Sequence, residues 1–194
     1  MKGKRIKSAP TLEPKTRGEA RKQDAYFWLQ ALVTALVCLI LLFTFVSRVV
    51  TVKGISMQPT LYERDIMLLW EGNYTPQRGD IVVLTKETFE ADSVVKRVIA
   101  LGGDTLDIDY GAGTVTVNGE ILDEPYINEV MQQMSWMENT DNETVPEGSI
   151  FVMGDNRNHS SDSRNPRCGM VDTRYLLGKV VFMIRPFSYI GTIG

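Results

Sequence analysis

The sequence predicts a mainly β protein that follows a single N-terminal membrane-spanning helix. One long uncharged apolar segment occupies residues 25–47, and the later apolar segments are short and bounded by Gly, Pro, Asn or Asp. Short bounded segments of this kind are typical of strands, and no long helical pattern appears after residue 48. A chain of 194 residues is long enough for one compact domain with a small appended lobe.

The apolar segment is long enough to cross a membrane. Its 23 residues carry no charge, and as a helix they would extend about 35 Å, against a hydrocarbon core of about 30 Å. Tyr26, Phe27 and Trp28 cluster at one end, as aromatic residues do at a membrane surface. A buried core helix would rarely lack charges over this length, and a cleavable secretory signal usually has an apolar region of only about 7–15 residues. We therefore predict an uncleaved anchor at residues 25–47.

Charge is distributed unevenly along the chain. Residues 1–24 contain eight Lys or Arg and three Asp or Glu, whereas the remaining 170 residues contain 13 and 21. Since Pro10 and Pro14 oppose a helix, residues 1–24 are interpreted as a flexible basic tail. The positive-inside rule places this tail in the cytoplasm and residues 48–194 outside. The acidic main domain disfavours nucleic-acid binding, which usually needs a basic face.

The strand predictions rest on segments rich in Val, Ile and Leu. They cover residues 49–53, 65–70, 80–85, 93–101 and 179–184. Residues 114–122 predict a hairpin in which Asn118-Gly119 forms a type I′ turn. Residues 128–148 show no clean period, and we interpret them as an excursion or small flap.

Two cysteines and one histidine leave little room for a disulfide framework or a metal site. Cys38 lies inside the apolar segment and Cys168 far outside it, so we do not expect them to pair. The single histidine, His159, excludes a multi-histidine metal site. We expect neither a metal nor another cofactor.

A candidate nucleophile follows the apolar segment directly. Ser56 lies between Gly54, which permits a tight backbone approach, and Pro59, which stiffens the chain. A small hydroxyl held in a rigid turn can serve as a nucleophile, although most segments of this composition are ordinary turns.

Lys96 is the candidate general base. Period-two alternation places it on one face of its strand with Val94 and Val98, whereas Arg97 faces the other way. An apolar environment disfavours the ammonium form and lowers the pKa of a lysine, and a neutral lysine can accept a proton from a serine. The alternatives are a lysine that extends from an edge strand to solvent, or Lys179 as the base.

The third candidate element is the loop at residues 154–164, which follows a short apolar segment. Its charged residues Asp155, Arg157, Asp162 and Arg164 could form two ion pairs that brace the loop, and its serines could orient a lysine. A solvated polar loop is the alternative interpretation.

These elements together resemble a known family. The motifs are Gly-x-Ser-Met-x-Pro-Thr-Leu at residues 54–61, Arg-Gly-Asp-Ile-Val at 78–82, Lys-Arg at 96–97 with Gly-Gly-Asp at 102–104, and Gly-Asp-Asn-Arg-x-x-Ser-x-Asp-Ser-Arg at 154–164. They resemble the bacterial type I signal peptidases (leader peptidases), in that family's order and behind the same kind of anchor. The short lobe and Gly54 make the chain more similar to the Gram-positive members.

The resemblance implies an activity, a fold and a location. It implies a serine/lysine-dyad endopeptidase that removes signal peptides from exported preproteins after small residues, at sites of the Ala-x-Ala type. It also implies a β-rich catalytic domain with a small inserted lobe at about residues 105–145. The expected location is the bacterial plasma membrane, with one pass through the lipid bilayer and the catalytic domain outside. No obligate protein partner is expected.

The resemblance also assigns roles to individual residues. Ser56 matches the nucleophile, Lys96 the general base, and Ser160 the serine that orients the lysine. Four loop residues match positions that brace the loop: Asp155, Arg157, Asp162 and Arg164. Four apolar residues match the pocket for the residue before the scissile bond: Met57, Leu61, Val94 and Val95. Where some members have a serine whose hydroxyl helps hold the oxyanion, this chain has Gly54, so the Ser56 N–H needs another donor beside it.

Three other functions compete with this interpretation. A Ser-His-Asp hydrolase could use Ser56, His159 and either Asp155 or Asp162, but it would explain neither Lys96 nor the anchor. A self-cleaving repressor-type protease is disfavoured by the anchor and by the lack of a DNA-binding head. A membrane-tethered binding module without catalysis would not react with a serine-directed acylating inhibitor.

Overall fold

A computed structural model describes residues 17–45, 47–72, 74–85, 93–135, 140–185 and 191. The chain divides into two compact units, residues 1–42 and 43–194. Within these described residues, the regular structure consists of eleven strands and one long helix, together with short 3-10 turns. Helix α1 is Arg17–Phe45, and the strands are β1 Ser47–Thr51, β2 Ile66–Trp70, β3 Ile81–Leu84, β4 Val94–Leu101, β5 Thr105–Asp109, β6 Thr114–Val117, β7 Glu120–Ile121, β8 Glu143–Thr144, β9 Ser149–Met153, β10 Val171–Asp172 and β11 Leu176–Arg185.

The first unit is dominated by α1, which begins eight residues before the predicted anchor. The last eight residues of the segment expected to be a flexible tail are therefore helical, because the good helix formers at 19–23 follow the last proline, Pro14. Within α1, Arg21–Leu41 is long and apolar enough to cross a membrane, judged by length and composition. Tyr26, Phe27 and Trp28 are exposed on the helix surface. The first 16 residues of the tail lie outside the described residues.

The second unit contains a seven-stranded antiparallel sheet in the order β1-β2-β11-β3-β4-β9-β10. All five segments predicted as strands from their composition are strands of this sheet. The prediction of a mainly β fold is confirmed. Strand β4 lies between β3 and β9, well inside the sheet, and is hydrogen-bonded along both edges.

A second sheet, in the order β7-β6-β5-β8, is formed within residues 105–144. Asn118 and Gly119 have φ angles of 55° and 80°, as the predicted type I′ hairpin turn requires. The segment interpreted as an excursion contributes β8 and the buried Met131, while residues 136–139 lie outside the described part. The apolar face of this sheet packs on side chains of β4 and β9, including Ile99 and Phe151. We refer to residues 105–145 as the lobe.

The two faces of β4 lie in different apolar clusters. Val98 packs with Val82 and Val152, whereas the next residue, Ile99, packs with the lobe. Fully burying a side chain of this size stabilises a fold by about 1.5–3 kcal/mol. Clusters on both sides of β4 therefore hold the strand that carries Lys96 firmly in place.

Candidate active site

The Ser56 turn connects β1 to β2 and is anchored in the core. Gly54 has a φ of 80°, a conformation that other residues adopt only with strain. Met57 and Leu61 are 1% and 0% exposed, and the Leu61 N–H donates to the Met57 carbonyl. Ser56 itself is only partly buried. The two buried side chains fix the turn while the serine hydroxyl stays accessible.

Lys96 lies beside the candidate nucleophile. Its Nζ donates a hydrogen bond to Ser56 Oγ at 2.8 Å. It is only 3% exposed, opposite Val82 on β3 and between Val94 and Val98 along β4. The apolar face predicted from the alternation is present, and the alternative of a lysine that reaches solvent is wrong.

Burial lowers the pKa of Lys96 below its ordinary value. The negative charges of Asp162 and Asp155 and the Cys168 sulfur oppose this shift, and the Arg164 guanidinium reinforces it. The effect of burial is larger than the opposing effects. The environment therefore favours the neutral amine, which is the form able to accept a proton.

The two competing bases are placed differently. Lys179 Nζ donates to Asp80 Oδ1 at 2.5 Å, and the Tyr74 hydroxyl donates to the same carboxylate. The Lys179 amine is therefore engaged with Asp80. The side chain of His159 is exposed. Neither residue has a described hydrogen bond to Ser56.

The loop at residues 154–164 is largely buried, so the alternative of a solvated loop is wrong. One predicted ion pair forms within it, because Arg164 Nε and Nη2 donate to the two carboxylate oxygens of Asp162 at 2.8 Å each. The Gly154 N–H also donates to Asp162 Oδ2. Burial by itself would raise the pKa of Asp162, but the Arg164 guanidinium, the Gly154 N–H and Ser160 together outweigh it and hold that pKa below its usual range.

The other acidic residue of the loop pairs outside it. Asp155 accepts two bonds from Arg97, at 2.8 Å from Nε and 2.7 Å from Nη2, and one from the Thr60 hydroxyl. Arg97 Nη1 donates to the Gly79 carbonyl. Asp155 thus connects the strand that carries Lys96 to the turn that carries Ser56.

Arg157 also pairs outside the loop, with a residue that the sequence analysis did not single out. Its Nη1 and Nη2 donate to the carboxylate of Glu124 at 2.8 and 2.6 Å. Tyr126 donates to the same carboxylate, and its ring lies 3.9 Å from the Arg97 guanidinium. Glu124 stands before a proline and a tyrosine in the sequence. This pattern is a weak indication of a buried ion pair, since it does not show which arginine is the partner.

Backbone contacts attach the loop to the Ser56 turn. The Asn156 N–H donates to the Ser56 carbonyl at 3.0 Å, and Asn156 Nδ2 donates to the Ile55 carbonyl at 3.1 Å. Ser160 is 4% exposed. Its Oγ lies close enough to Asp162 to favour that carboxylate, yet within the described part of the chain it makes no hydrogen bond of good geometry. A buried hydroxyl therefore remains available beside the site.

Gly154→Ala is expected to impair catalysis because the new methyl group has no space. A Cβ at this position would lie 2.3 Å from Ser160 Oγ and 2.4 Å from the Ser56 carbonyl oxygen. Overpacking of this kind costs about 1–3 kcal/mol and would displace both serines. We expect a lower kcat and a lower urea midpoint for the full chain in detergent. Gly191→Ala is the control, since a Cβ there meets nothing within 4 Å. Wild-type kinetics in Gly154→Ala would contradict this packing.

A small cleft of about 190 Å³ opens beside Ser56. Three of the four predicted pocket residues line it: Met57, Val94 and Val95. Leu61 is not among the lining residues and lies in the core cluster that also contains Met57. Val50, Val52 and Val83 also line the cleft, and the sequence analysis did not assign them to it. Among the described residues, no group of three or more His, Cys, Asp or Glu could hold a metal ion.

Comparison with known proteins identifies the family. The family described as "Signal peptidase, peptidase S26" matches residues 26–185. The chain belongs to this signal peptidase family. Signal peptidase I of Bacillus licheniformis is 32% identical to this S26 chain over 180 residues, which cover 88% of the chain and 94% of the relative. Signal peptidase IB of Staphylococcus aureus (strain COL) is 32% identical over 183 residues, which cover 86% and 93%. A crystal structure of signal peptidase I from Enterococcus faecalis V583 is 32% identical, with a TM-score of 0.45, and covers 56% of this chain and 98% of its own.

Membership of the S26 family establishes the general activity. This signal peptidase is a serine endopeptidase that cleaves signal peptides, so its substrates are preproteins that carry them. The resemblance found in the sequence is confirmed, including its similarity to Gram-positive members. The N-terminal apolar helix is consistent with a membrane-anchored signal peptidase.

Proposed function

We propose that this signal peptidase uses Ser56 as nucleophile and Lys96 as general base. The observation that carries the proposal is the 2.8 Å hydrogen bond between Lys96 Nζ and Ser56 Oγ at a buried lysine. Neutral Lys96 removes the hydroxyl proton as Ser56 Oγ attacks the scissile carbonyl. The resulting ammonium then donates a proton to the leaving amine, and water hydrolyses the acyl-enzyme with Lys96 again acting as base.

The oxyanion of the tetrahedral intermediate needs preorganised donors. The Ser56 N–H makes no hydrogen bond within the described part of the chain, so it is available as one donor. Gly54 has no side chain to supply a second. We propose that Ser160 orients the lysine, as the family resemblance implies, because its buried hydroxyl has no hydrogen-bond partner among the described residues and is able to accept one.

The loop residues brace this arrangement. Asp162 and Arg164 hold the backbone at Gly154, and Asp155 joins Arg97 to Thr60. Asp155 joins the segments that carry Lys96 and Ser56, whereas Asp162 and Arg164 fix the loop that carries Ser160. Their role is to keep the dyad at hydrogen-bond distance, with no direct part in the bond rearrangement.

The cleft beside Ser56 should restrict cleavage to sites that follow small residues. Met57, Val94 and Val95 line the cleft with apolar side chains next to Ser56, and we expect small residues to bind there in preference to large ones. We expect Ala before the scissile bond, and again two residues earlier, to be favoured. A precursor with Phe or Leu before the bond should be cleaved at least about 100-fold more slowly in kcat/KM. Matched precursors that differ only at that position provide the measurement, and equal rates would exclude this cleft as the pocket.

Incubation of the full chain with a secretory precursor tests the proposed activity directly. Sequencing of the new N-terminus locates the cut, and Ser56→Ala should abolish both the cut and reaction with a serine-directed acylating inhibitor. Cleavage by Ser56→Ala at the same bond would exclude Ser56 as the nucleophile.

We propose that the N-terminus lies in the cytoplasm and residues 48–194 outside the plasma membrane, with the lipid bilayer around the apolar helix, because basic residues are concentrated before that helix. Protease added to intact spheroplasts should therefore degrade the large domain while a tag before Met1 remains protected. Protection of a C-terminal tag under the same conditions would reverse the orientation. We propose no obligate protein partner.

A further inference from the structure

The segment at residues 122–132, which follows β7, contacts the loop that carries Ser160. Its first attachment is the ion pair of Glu124 with Arg157, whose side chains are 5% and 1% exposed. Both guanidinium Nη atoms take part, at 2.8 and 2.6 Å. A buried bidentate pair of this kind fixes the orientation of the Arg157 guanidinium as well as its distance from the Glu124 carboxylate.

The next loop residue provides a second attachment. Asn158 Oδ1 accepts from the Gln132 N–H at 2.9 Å, and Asn158 Nδ2 donates to the Val130 carbonyl at 3.1 Å. Arg157 and Asn158 belong to one 3-10 turn, Arg157–His159, which ends immediately before Ser160. Residues 122–132 therefore hold consecutive residues of the turn that leads into Ser160.

Tyr126 orients the carboxylate of Glu124. Its hydroxyl donates to Glu124 Oε1 at 2.9 Å. Burial, followed by the charge of Glu124, raises the pKa of Tyr126, so the phenol stays protonated and donating. The Arg97 guanidinium lies over the same ring. Glu124 is thus held in a single orientation toward Arg157.

Arg157 also forms hydrogen bonds with the part of the loop that lies next to the catalytic residues. Its Nε donates to the Gly154 carbonyl at 3.1 Å, and its own carbonyl accepts from Arg164 Nη2 at 2.7 Å. Gly154 packs directly against Ser160 Oγ and the Ser56 carbonyl oxygen. A displacement of Arg157 would therefore move Gly154, and Gly154 would in turn displace both Ser56 and Ser160.

We propose that Glu124 is a positioning residue for the dyad: through Arg157 it holds Gly154 and the turn before Ser160 against Ser56 and Lys96. The inference rests on the proposed Ser56/Lys96 chemistry. Glu124 contacts neither Ser56 nor Lys96 itself. Its action is to keep the site closely packed, which keeps Lys96 out of water.

Several neighbouring groups, together with burial, determine the pKa of Lys96. Asp162, Asp155 and Cys168 favour its ammonium form, while Arg164 and burial disfavour it. Loosening the loop would admit water and weaken the effect of burial, so the pKa of Lys96 would rise. Since the base must be neutral, the loss of activity at low pH, which is the acidic limb of the pH–rate profile, would then occur at higher pH. A purely structural brace would lower stability without moving that limb.

Glu124→Gln tests the inference, because it preserves the shape of the side chain and removes its charge. For the full chain in detergent, well below the unfolding temperature, we expect kcat to fall about tenfold or more. We also expect little change in KM and an acidic limb displaced to higher pH. Glu129→Gln is the control, since Glu129 lies in the same segment and is exposed. Glu129→Gln should retain the wild-type kcat, the wild-type KM and the wild-type acidic limb.

The outcomes separate the two proposals. Suppose that the acidic limb of the wild-type pH–rate profile depends on Lys96 while Glu124→Gln has the wild-type kcat and the wild-type limb. In that case the positioning role of Glu124 is wrong and the dyad stands. If Ser56→Ala or Lys96→Ala remains active, the dyad itself is wrong. Should Glu124→Gln fail to fold, Tyr126→Phe removes only the hydroxyl that orients Glu124. It should shift kcat and the limb in the same direction by a smaller amount, and an unchanged limb there would overturn the inference.

Discussion

Lys96→Ala, Lys96→Arg and Lys96→Met are each expected to lose about 10²–10⁴-fold in kcat/KM, the range supplied by a general base. Alanine and methionine have no group that accepts a proton, and a guanidinium does not deprotonate in proteins. The arginine variant preserves the positive charge, so its inactivity would show that a removable proton is required. Cleavage of a matched precursor by the purified full chain gives the rates.

The pH dependence of the wild type follows from the same residue. Lys96 must be neutral to accept the proton, so activity should fall as the pH drops through its lowered pKa. His159→Ala and Lys179→Ala should leave this acidic limb in place, since no transferred proton passes through either side chain. If His159→Ala abolished cleavage while Lys96→Ala retained it, a histidine triad would replace the dyad.

Lys96 should also cost stability, because its pKa is lowered in the folded state. Unfolding restores a pKa of about 10.4, so below that pH and above the folded pKa the unfolded chain binds more protons. The cost is full below the folded pKa and disappears as the pH rises toward 10.4. Lys96→Met should therefore have a urea midpoint at neutral pH at least equal to that of the wild type. The same substitution that removes activity should not harm the fold.

Asp155→Ala is expected to have the largest effect on stability. It leaves Arg97, which is 4% exposed, without its carboxylate partner, and breaking a buried pair in this way costs about 3–5 kcal/mol. The Thr60 hydroxyl also loses its acceptor, so the Ser56 turn is released. Urea unfolding of the full chain in detergent measures the change, and cleavage rates should fall with it.

Asp172→Ala provides the matched control for Asp155→Ala. It removes the carboxylate of a second Asp–Arg pair, whose partner Arg174 has a side chain that is 86% exposed. Exposed pairs are screened by solvent and contribute little, so the urea midpoint should stay near that of the wild type. Equal losses in the two variants would show that burial of the Arg97–Asp155 pair is not what makes it important.

The sequence predicted the elements of the site better than the contacts between them. Alternation along β4 was sufficient to place Lys96 on an apolar face, because side-chain direction in a strand is a local property. The partners of Asp155 and Arg157 could not be predicted this way. They are Arg97 and Glu124, which are 58 and 33 residues away. A charge specifies the sign of its partner but not its position, so only the folded chain shows which residues pair.

The cleft illustrates the same limit. Met57, Val94 and Val95, which were assigned to it by resemblance, line it, whereas Leu61, assigned in the same way, does not. Val50 lies in β1, Val52 directly follows β1, and Val83 lies in β3, so their contribution depends on a sheet order in which β2 and β11 separate β1 from β3. A motif identifies the residues near a nucleophile, whereas the walls of a cleft are set by tertiary packing.

The contacts between the Ser56 turn and the distant loop bear on when this protease becomes active. Thr60 and Asp155 are 95 residues apart, and Ile55 and Asn156 are 101 apart. As the chain is made, Ser56 therefore leaves the ribosome long before the residues that hold it. A partly synthesised chain would contain Ser56 and Lys96 without the loop that we propose to brace them. On the proposed mechanism, proteolytic activity should therefore arise only after residues 154–164 have been synthesised and have folded against the Ser56 turn.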